Sequence, residues 1–175
     1  MMTLRSAAEE FLAQRRIAVA GVSRDSRQPA NLIYRRLRDA GHEVFPVNPN
    51  ADVLERDAAF ASVRDIPGGV DGVVVVTTPA VAVRVVADCA AAEIPRVWLH
   101  RGMGPGSSSD AAIALCREHG IAVIPGGCPN MFGATSDPGH RCLRLPLQAG
   151  GRIPRKLPDR AAAERSAPGI AGRVG

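Results

Sequence analysis

Val70-Asp71-Gly72-Val73-Val74-Val75-Val76-Thr77-Thr78-Pro79 is the stretch that decides the fold. Four valines in succession read as a strand covered on both faces, because a half-exposed strand would alternate apolar and polar residues. Thr78 and Pro79 read as an N-cap and a first helical residue, since the amide that proline lacks has no partner in a first turn anyway. A buried strand that passes straight into a helix is half of a βαβ unit. Parallel neighbours cannot be joined by a tight hairpin and need such a crossover.

The same alternation continues outward. Upstream, Leu4, Ala7, Ala8, Phe11 and Leu12 recur at helical spacing, and Ile17-Ala18-Val19-Ala20-Gly21 is a short apolar run ending in glycine. Asn31 to Ala40 carries Ile33, Leu37 and Ala40 on one face and arginines on the other, with Gly41 as a stop signal. Glu43 to Val47 reads as the second strand, closed by Asn48-Pro49-Asn50. Residues 51–69 read as an irregular crossover with a short helix around Ser62 to Asp65. Downstream, a helix to about Ala92 leads to a strand over Arg96 to His100, a helix over Ser109 to His119, and a last strand over Ile121 to Ile124. The pattern predicts an α/β fold, a Rossmann-like doubly wound parallel sheet of about five strands, in a single domain spanning residues 1–149. Residues 150–175, rich in Gly, Pro, Ala and Arg without periodicity, read as a basic, disordered tail.

Composition agrees and excludes alternatives. A chain of 175 residues, 46% hydrophobic, fills one core and not two, and is too apolar to remain disordered. With 3% aromatic residues it lacks the material for a base-stacking surface. The net charge of +5 suggests a polyanion partner until it is located: residues 141–175 carry +6 and residues 1–140 carry −1. Nucleic-acid binding is therefore disfavoured for the body and would rest on the tail alone. No apolar run approaches the roughly 20 residues of a membrane span, and residues 1–16 do not read as a secretion signal, so a cytoplasmic location without membrane association is expected. Cys89, Cys116, Cys128 and Cys142 then read as reduced thiols, with Cys89 and Cys116 on apolar helical faces in the core.

In such sheets ligands bind beyond the carboxyl ends of the strands. Gly21-Val22-Ser23-Arg24, with Arg27 nearby, could hold a phosphate, since Gly21 permits close backbone approach and a helix N-terminus follows. The dinucleotide fingerprint is absent, because no second or third glycine follows Gly21, and Asn48 stands where an acid would bind a ribose hydroxyl. NAD(P) is thus the alternative cofactor and not the first choice.

Ile17-Ala18-Val19-Ala20-Gly21-Val22-Ser23-Arg24, Val47-Asn48-Pro49-Asn50, Val70 to Val75 and Val97-Trp98-Leu99 together resemble the small bacterial CoA-binding proteins. That family is similar to the CoA-binding domain of the succinyl-CoA synthetase α subunit. The resemblance covers about residues 10–147, through Gly127-Cys128-Pro129-Asn130-Met131-Phe132 and Gly139-His140-Arg141-Cys142. It implies a protein that binds coenzyme A or an acyl-CoA, with Gly21, Ser23 and Arg24 at the phosphates, Val22 and Arg27 belonging to the same candidate loop. By the same resemblance Asn48 and Pro49 line the adenosine part, and Thr77, Thr78 and Pro79 border the pantetheine. His100, Arg101 and Gly102 then stand near the thiol end, where His100 and Arg101 depart from the smaller or amide-bearing pair expected. The ligase's phosphohistidine domain and ATP-grasp partner are missing, so acyl-CoA synthesis by this chain alone is not expected.

The leading expectation is therefore a binding module. An NAD(P)-dependent oxidoreductase or a CoA-linked transferase using His100 or Cys128 is the alternative, and a homodimer is the assembly to test. Cys128, His140 and Cys142 offer zinc-type ligands in a C-x11-H-x-C spacing, without the paired C-x2-C units that strong zinc signals bring. The favoured reading of this trio is structural, pinning residues 125–145 to the sheet, although Cys128 could form a mixed disulfide with the CoA thiol. Ser107-Ser108-Ser109-Asp110 reads as helix capping, and His42 and His119 as partners of helix C-termini.

Overall fold

The computed structural model describes residues 2–102, 106–136, 138–151, 154 and 156–157, with only the backbone described at 141 and 143–145. In chain order the elements are β1 (Met2–Thr3), α1 (Leu4–Leu12), β2 (Arg16–Ala20), α2 (Pro29–Asp39), β3 (Glu43–Val47), β4 (Val53–Leu54) and β5 (Asp57–Ala58). They continue with β6 (Gly72–Val75), α3 (Pro79–Ala91), β7 (Arg96–Leu99), α4 (Asp110–Glu118), β8 (Ala122–Ile124), α5 (Pro138–Ala149) and β9 (Lys156–Leu157).

Five of the strands form one parallel sheet in the order β3-β2-β6-β7-β8. The expected Rossmann-like doubly wound architecture is therefore what forms. β6, the valine strand, lies centrally and is buried at all four positions, as its continuous apolar run requires. Pro46 sits in β3, at the sheet edge, the place where a missing amide costs no ladder bond. One face of the sheet packs α1, α2 and Leu147 of α5 around Ile17, Val19, Val74 and Trp98. The other packs α3 and α4 around Ala18, Val73, Val75, Val97 and Leu99. The Phe11 ring meets Trp98 edge-on at 5.4 Å, and Phe132 tilts against the same indole at 5.7 Å. Each large side chain buried in this way contributes about 1.5–3 kcal/mol. Cys89 and Cys116 are fully buried in the second cluster, as expected.

Several local expectations are refined. The crossover after β3 contains a hairpin, β4–β5, that its sequence does not announce: Glu55 and Arg56 at its tip have φ of 50° and 72°, a conformation normally given to Gly, Asn or Asp. The short helix appears as a 3-10 turn, Val63–Asp65, whose N-cap Ser62 shares a reciprocal capping box with Asp65. Thr78 does stand at the N-cap of α3, but its side chain makes no capping bond. The strand expected to reach His100 ends at Leu99, with the His100 amide adding one more bond to Val75 O. α5 falls where the sequence pattern assigns no element, and it forms despite Pro138, Gly139 and Pro146, residues that disfavour helix. The residues read as a tail lie mostly outside the described residues; within them, β9 pairs antiparallel with β1 and Leu157 is buried.

Candidate functional site

β2 and β6 are neighbours from which the chain departs in opposite directions, so the sheet's switch point lies between Ala20 and Val75. The backbones close there tightly. The Gly21 amide donates to Val47 O at 3.0 Å and the Val76 amide to Ala20 O at 2.8 Å. A Cβ on Gly21 would stand 2.1 Å from Val76 O, and its φ of +105° is one that L side chains rarely adopt. Only glycine fits this crossing.

Beyond it, the 21–28 loop is held by one buried amide. Asn31 Oδ1 accepts from the Ser23 amide at 3.0 Å, and its Nδ2 donates to Ser23 O at 2.7 Å and to Glu55 Oε1 at 2.8 Å. Arg35 completes the link, donating to Glu55 at 2.7 Å and to Ser26 O at 3.0 Å. The strained hairpin tip is thereby fastened to α2 and to the loop together. The Ser23 hydroxyl turns back onto the Asp25 backbone, accepting from its amide at 3.1 Å. Arg24 is exposed and clamps Asn50 O at 2.6 Å, while Asn48 donates to Val22 O at 2.8 Å. Arg27, also exposed, pairs with Asp25 at 2.9 Å and holds that carboxyl below its usual range.

Two cavities open at the strand ends. A cleft of about 610 Å³ runs from Gly21, Asn48 and Pro49 across Thr77 and Thr78 to Val81, Arg84 and Val85 of α3. A chamber of about 440 Å³ lies on the other side, between Leu32 and Ile33 of α2 and the residues His100, Gly102, Ser107, Cys128, Asn130 and His140. Val76 and Thr77 line both. Thr77 is fixed by the fully buried Ser107, whose hydroxyl accepts from its amide at 2.7 Å and donates to its carbonyl at 2.8 Å.

Gly21, Asn48, Pro49, Thr77 and Thr78 thus come together around the cleft, with His100 and Gly102 around the chamber. Val22 is buried beneath, Ser23, Arg24 and Arg27 line neither cavity, and Pro79 opens α3. Arg101 bonds through its amide to Gly127 O at 3.1 Å, with Nε buried and without a partner among the described residues. Burial and the charge of His140 push the His100 imidazole down to about 4, so it is neutral at pH 7. Of the proposed trio, Cys128 and His140 line the chamber while Cys142 is exposed. Among the described residues no group of three or more His, Cys, Asp or Glu is placed to hold a metal ion.

Sequence reasoning missed the far walls. Val81 with Val85, and Arg84 with Asp88, sit four residues apart on α3, a spacing that could have placed them on one face. Asn130 and Ser107 carried no such signal, since Ser107 reads as helix capping and Asn130 enters only as part of the stretch Gly127 to Phe132.

Residues 15–134 match the CoA binding domain family. The chain belongs to that family. As a CoA binding domain it has the resemblance expected from its strand ends, and membership supports CoA binding in general. Among its relatives is an uncharacterized protein, YneT, of Bacillus subtilis, 28% identical over 114 residues that make up 65% of this chain and 82% of that one. The ADP-forming acetate–CoA ligase II of Archaeoglobus fulgidus is 28% identical over 116 residues, 62% of this chain but 17% of the ligase. A solved structure of a conserved hypothetical protein from Pyrococcus furiosus is 32% identical, covers 62% of this chain and 90% of its own, and superposes with a TM-score of 0.57. Within this CoA binding domain every residue named for the two cavities except His140 falls inside the matched segment. No helix among the described residues is long and apolar enough to cross a membrane.

Proposed function

We propose that the chain binds coenzyme A or an acyl-CoA along the carboxyl ends of β2, β3, β6 and β7 and acts as a binding module without catalysing a reaction of its own. The observation that carries this reading is the cleft at the sheet's switch point, in a chain of the CoA binding domain family. Pro49, Val81 and Val85 give the cleft apolar walls for an adenine. Arg84 is exposed on the same wall, without an ion pair among the described residues, and suits a phosphate. The diphosphate belongs at the Gly21–Arg24 turn, before α2, where Gln28 makes no side-chain cap and the positive helix end is left for an anion. The pantetheine arm then passes Thr77, Thr78 and Pro79 toward His100, Arg101 and Gly102. Arg24 and Arg27 reach the diphosphate by exchanging their present partners, Asn50 O and Asp25, for it.

A thermal-shift series with CoA, acetyl-CoA and NADPH tests the proposal. A ligand that binds only the native state at a hundred times its Kd adds about 2.7 kcal/mol, a rise of several degrees in Tm. CoA or acetyl-CoA is expected to give that rise. No shift with either overturns the reading, and a shift with NADPH alone replaces it with the oxidoreductase. Native mass spectrometry of freshly purified protein reports any bound ligand and the subunit number together.

A further inference from the structure

One buried polar group stands apart from its surroundings. Asn130 is fully buried, lines the chamber, and has no hydrogen-bond partner among the described residues at either Oδ1 or Nδ2. Its neighbours are well satisfied. Thr135 Oγ1 is within 2.8 Å of both Pro129 O and Phe132 O, and Trp98 Nε1 donates to Gly126 O at 3.0 Å and more weakly to Gly127 O at 3.3 Å. The 3-10 turn Pro129–Met131 that carries Asn130 is therefore held firmly while the buried side-chain amide is left without a partner among the described residues. Buried polar groups in folded proteins are nearly always paired, and an unpaired one calls for a partner from outside the chain.

We propose that the chamber is the acyl subsite of the CoA site, and that Asn130 selects acyl groups bearing a neutral hydroxyl or carboxamide. This rests on the CoA reading above, because the chamber meets the cleft at Val76 and Thr77, the pair a pantetheine arm would pass. Its volume of about 440 Å³ holds a short acyl chain with room to spare. An amide both gives and takes a hydrogen bond. A hydroxyl or carboxamide answers both, a saturated chain answers neither, and a carboxylate can only accept and would set its charge against Oδ1. Among the described residues the chamber wall contains no Lys, Arg, Asp or Glu; its ionisable side chains are His100, neutral at pH 7, with Cys128 and His140. Leu32, Ile33 and Met131 cover the carbon chain.

The test is titration calorimetry of the full chain with CoA, butyryl-CoA, 3-hydroxybutyryl-CoA and succinyl-CoA. The hydroxyacyl form is expected to bind about tenfold more tightly than the saturated one, the value of a hydrogen-bonded pair that would otherwise stay buried and unmet. Succinyl-CoA is expected to bind more weakly than 3-hydroxybutyryl-CoA. In Asn130→Leu, which keeps the branched outline, is somewhat larger and removes the polar atoms, the hydroxyacyl preference disappears. Equal affinities for butyryl- and 3-hydroxybutyryl-CoA overturn the proposal, as does tightest binding of succinyl-CoA or a preference that survives in the variant. These comparisons on the unmodified protein stand even if the variant does not fold. Absence of binding by CoA itself overturns the CoA reading along with the subsite, whereas CoA binding without acyl discrimination overturns the subsite alone.

Discussion

Gly21 shows how much of the site depends on single atoms. A methyl group there would collide with Val76 O at 2.1 Å and would force a φ of +105° on an L residue. Gly21→Ala is expected to lose about 3 kcal/mol in urea unfolding. Because the clash pushes β2 and β6 apart at the mouth of the cleft, CoA affinity should fall by more than about tenfold as well, read by calorimetry. His100 gives a second prediction. Its folded-state pKa of about 4 lies below the ordinary imidazole value of 6.5, so between those values the unfolded chain takes up a proton that the native state refuses. Stability is complete above about pH 6.5 and is lost as the pH falls toward 4. Denaturant midpoints measured from pH 7 to 4.5 should decline, and His100→Gln should flatten that decline. An unchanged slope in the variant would assign the loss to other groups.

At the scale of elements, Asn31 ties the 21–28 loop to the β4–β5 hairpin. Replacing it with alanine strips the Ser23 amide and the Glu55 carboxylate of one partner each, costing about 1–3 kcal/mol. With the loop loosened, affinity for CoA should fall about tenfold while that for pantetheine, which lacks the phosphates, moves less than about twofold. Equal losses for both ligands in competition titrations would mean that Asn31 serves folding alone. The same elements show what a sequence reveals. The bounds of β3 are readable because Glu43 follows a glycine stop and Asn48-Pro49-Asn50 closes the strand. The hairpin is not readable, because Glu55 and Arg56 adopt left-handed conformations held by contacts made elsewhere: Glu55 by Asn31 and Arg35 from a distant helix. α5 was hidden by Pro146, which the helix tolerates, and Ser107 by its place in a run of serines of which Ser109 caps α4. The strand ends of the cleft were legible because topology puts them there. The chamber was not, since Asn130 becomes unusual only once its burial and its missing partners are known.

For the whole molecule, a doubly wound sheet covered on both faces divides the thiols into classes. Burial pushes the Cys116 thiol up to about 12 and the Cys89 thiol upward as well, while Cys142 is exposed. Ellman's reagent at pH 8 should modify Cys142 rapidly and reach Cys89 and Cys116 only after unfolding. Cys142→Ser should remove the rapid phase, and a rapid phase that persists would mean that a second thiol is open. Trp98, the sole tryptophan, is wedged between Phe11 and Phe132, and its indole N–H rests on the carbonyls of Gly126 and Gly127, just before Cys128 in the chamber wall. The protein therefore carries its own fluorophore one turn from the proposed acyl subsite. A ligand that shifts that turn changes the colour or brightness of a single emitter, so occupancy can be followed optically on the unlabelled chain.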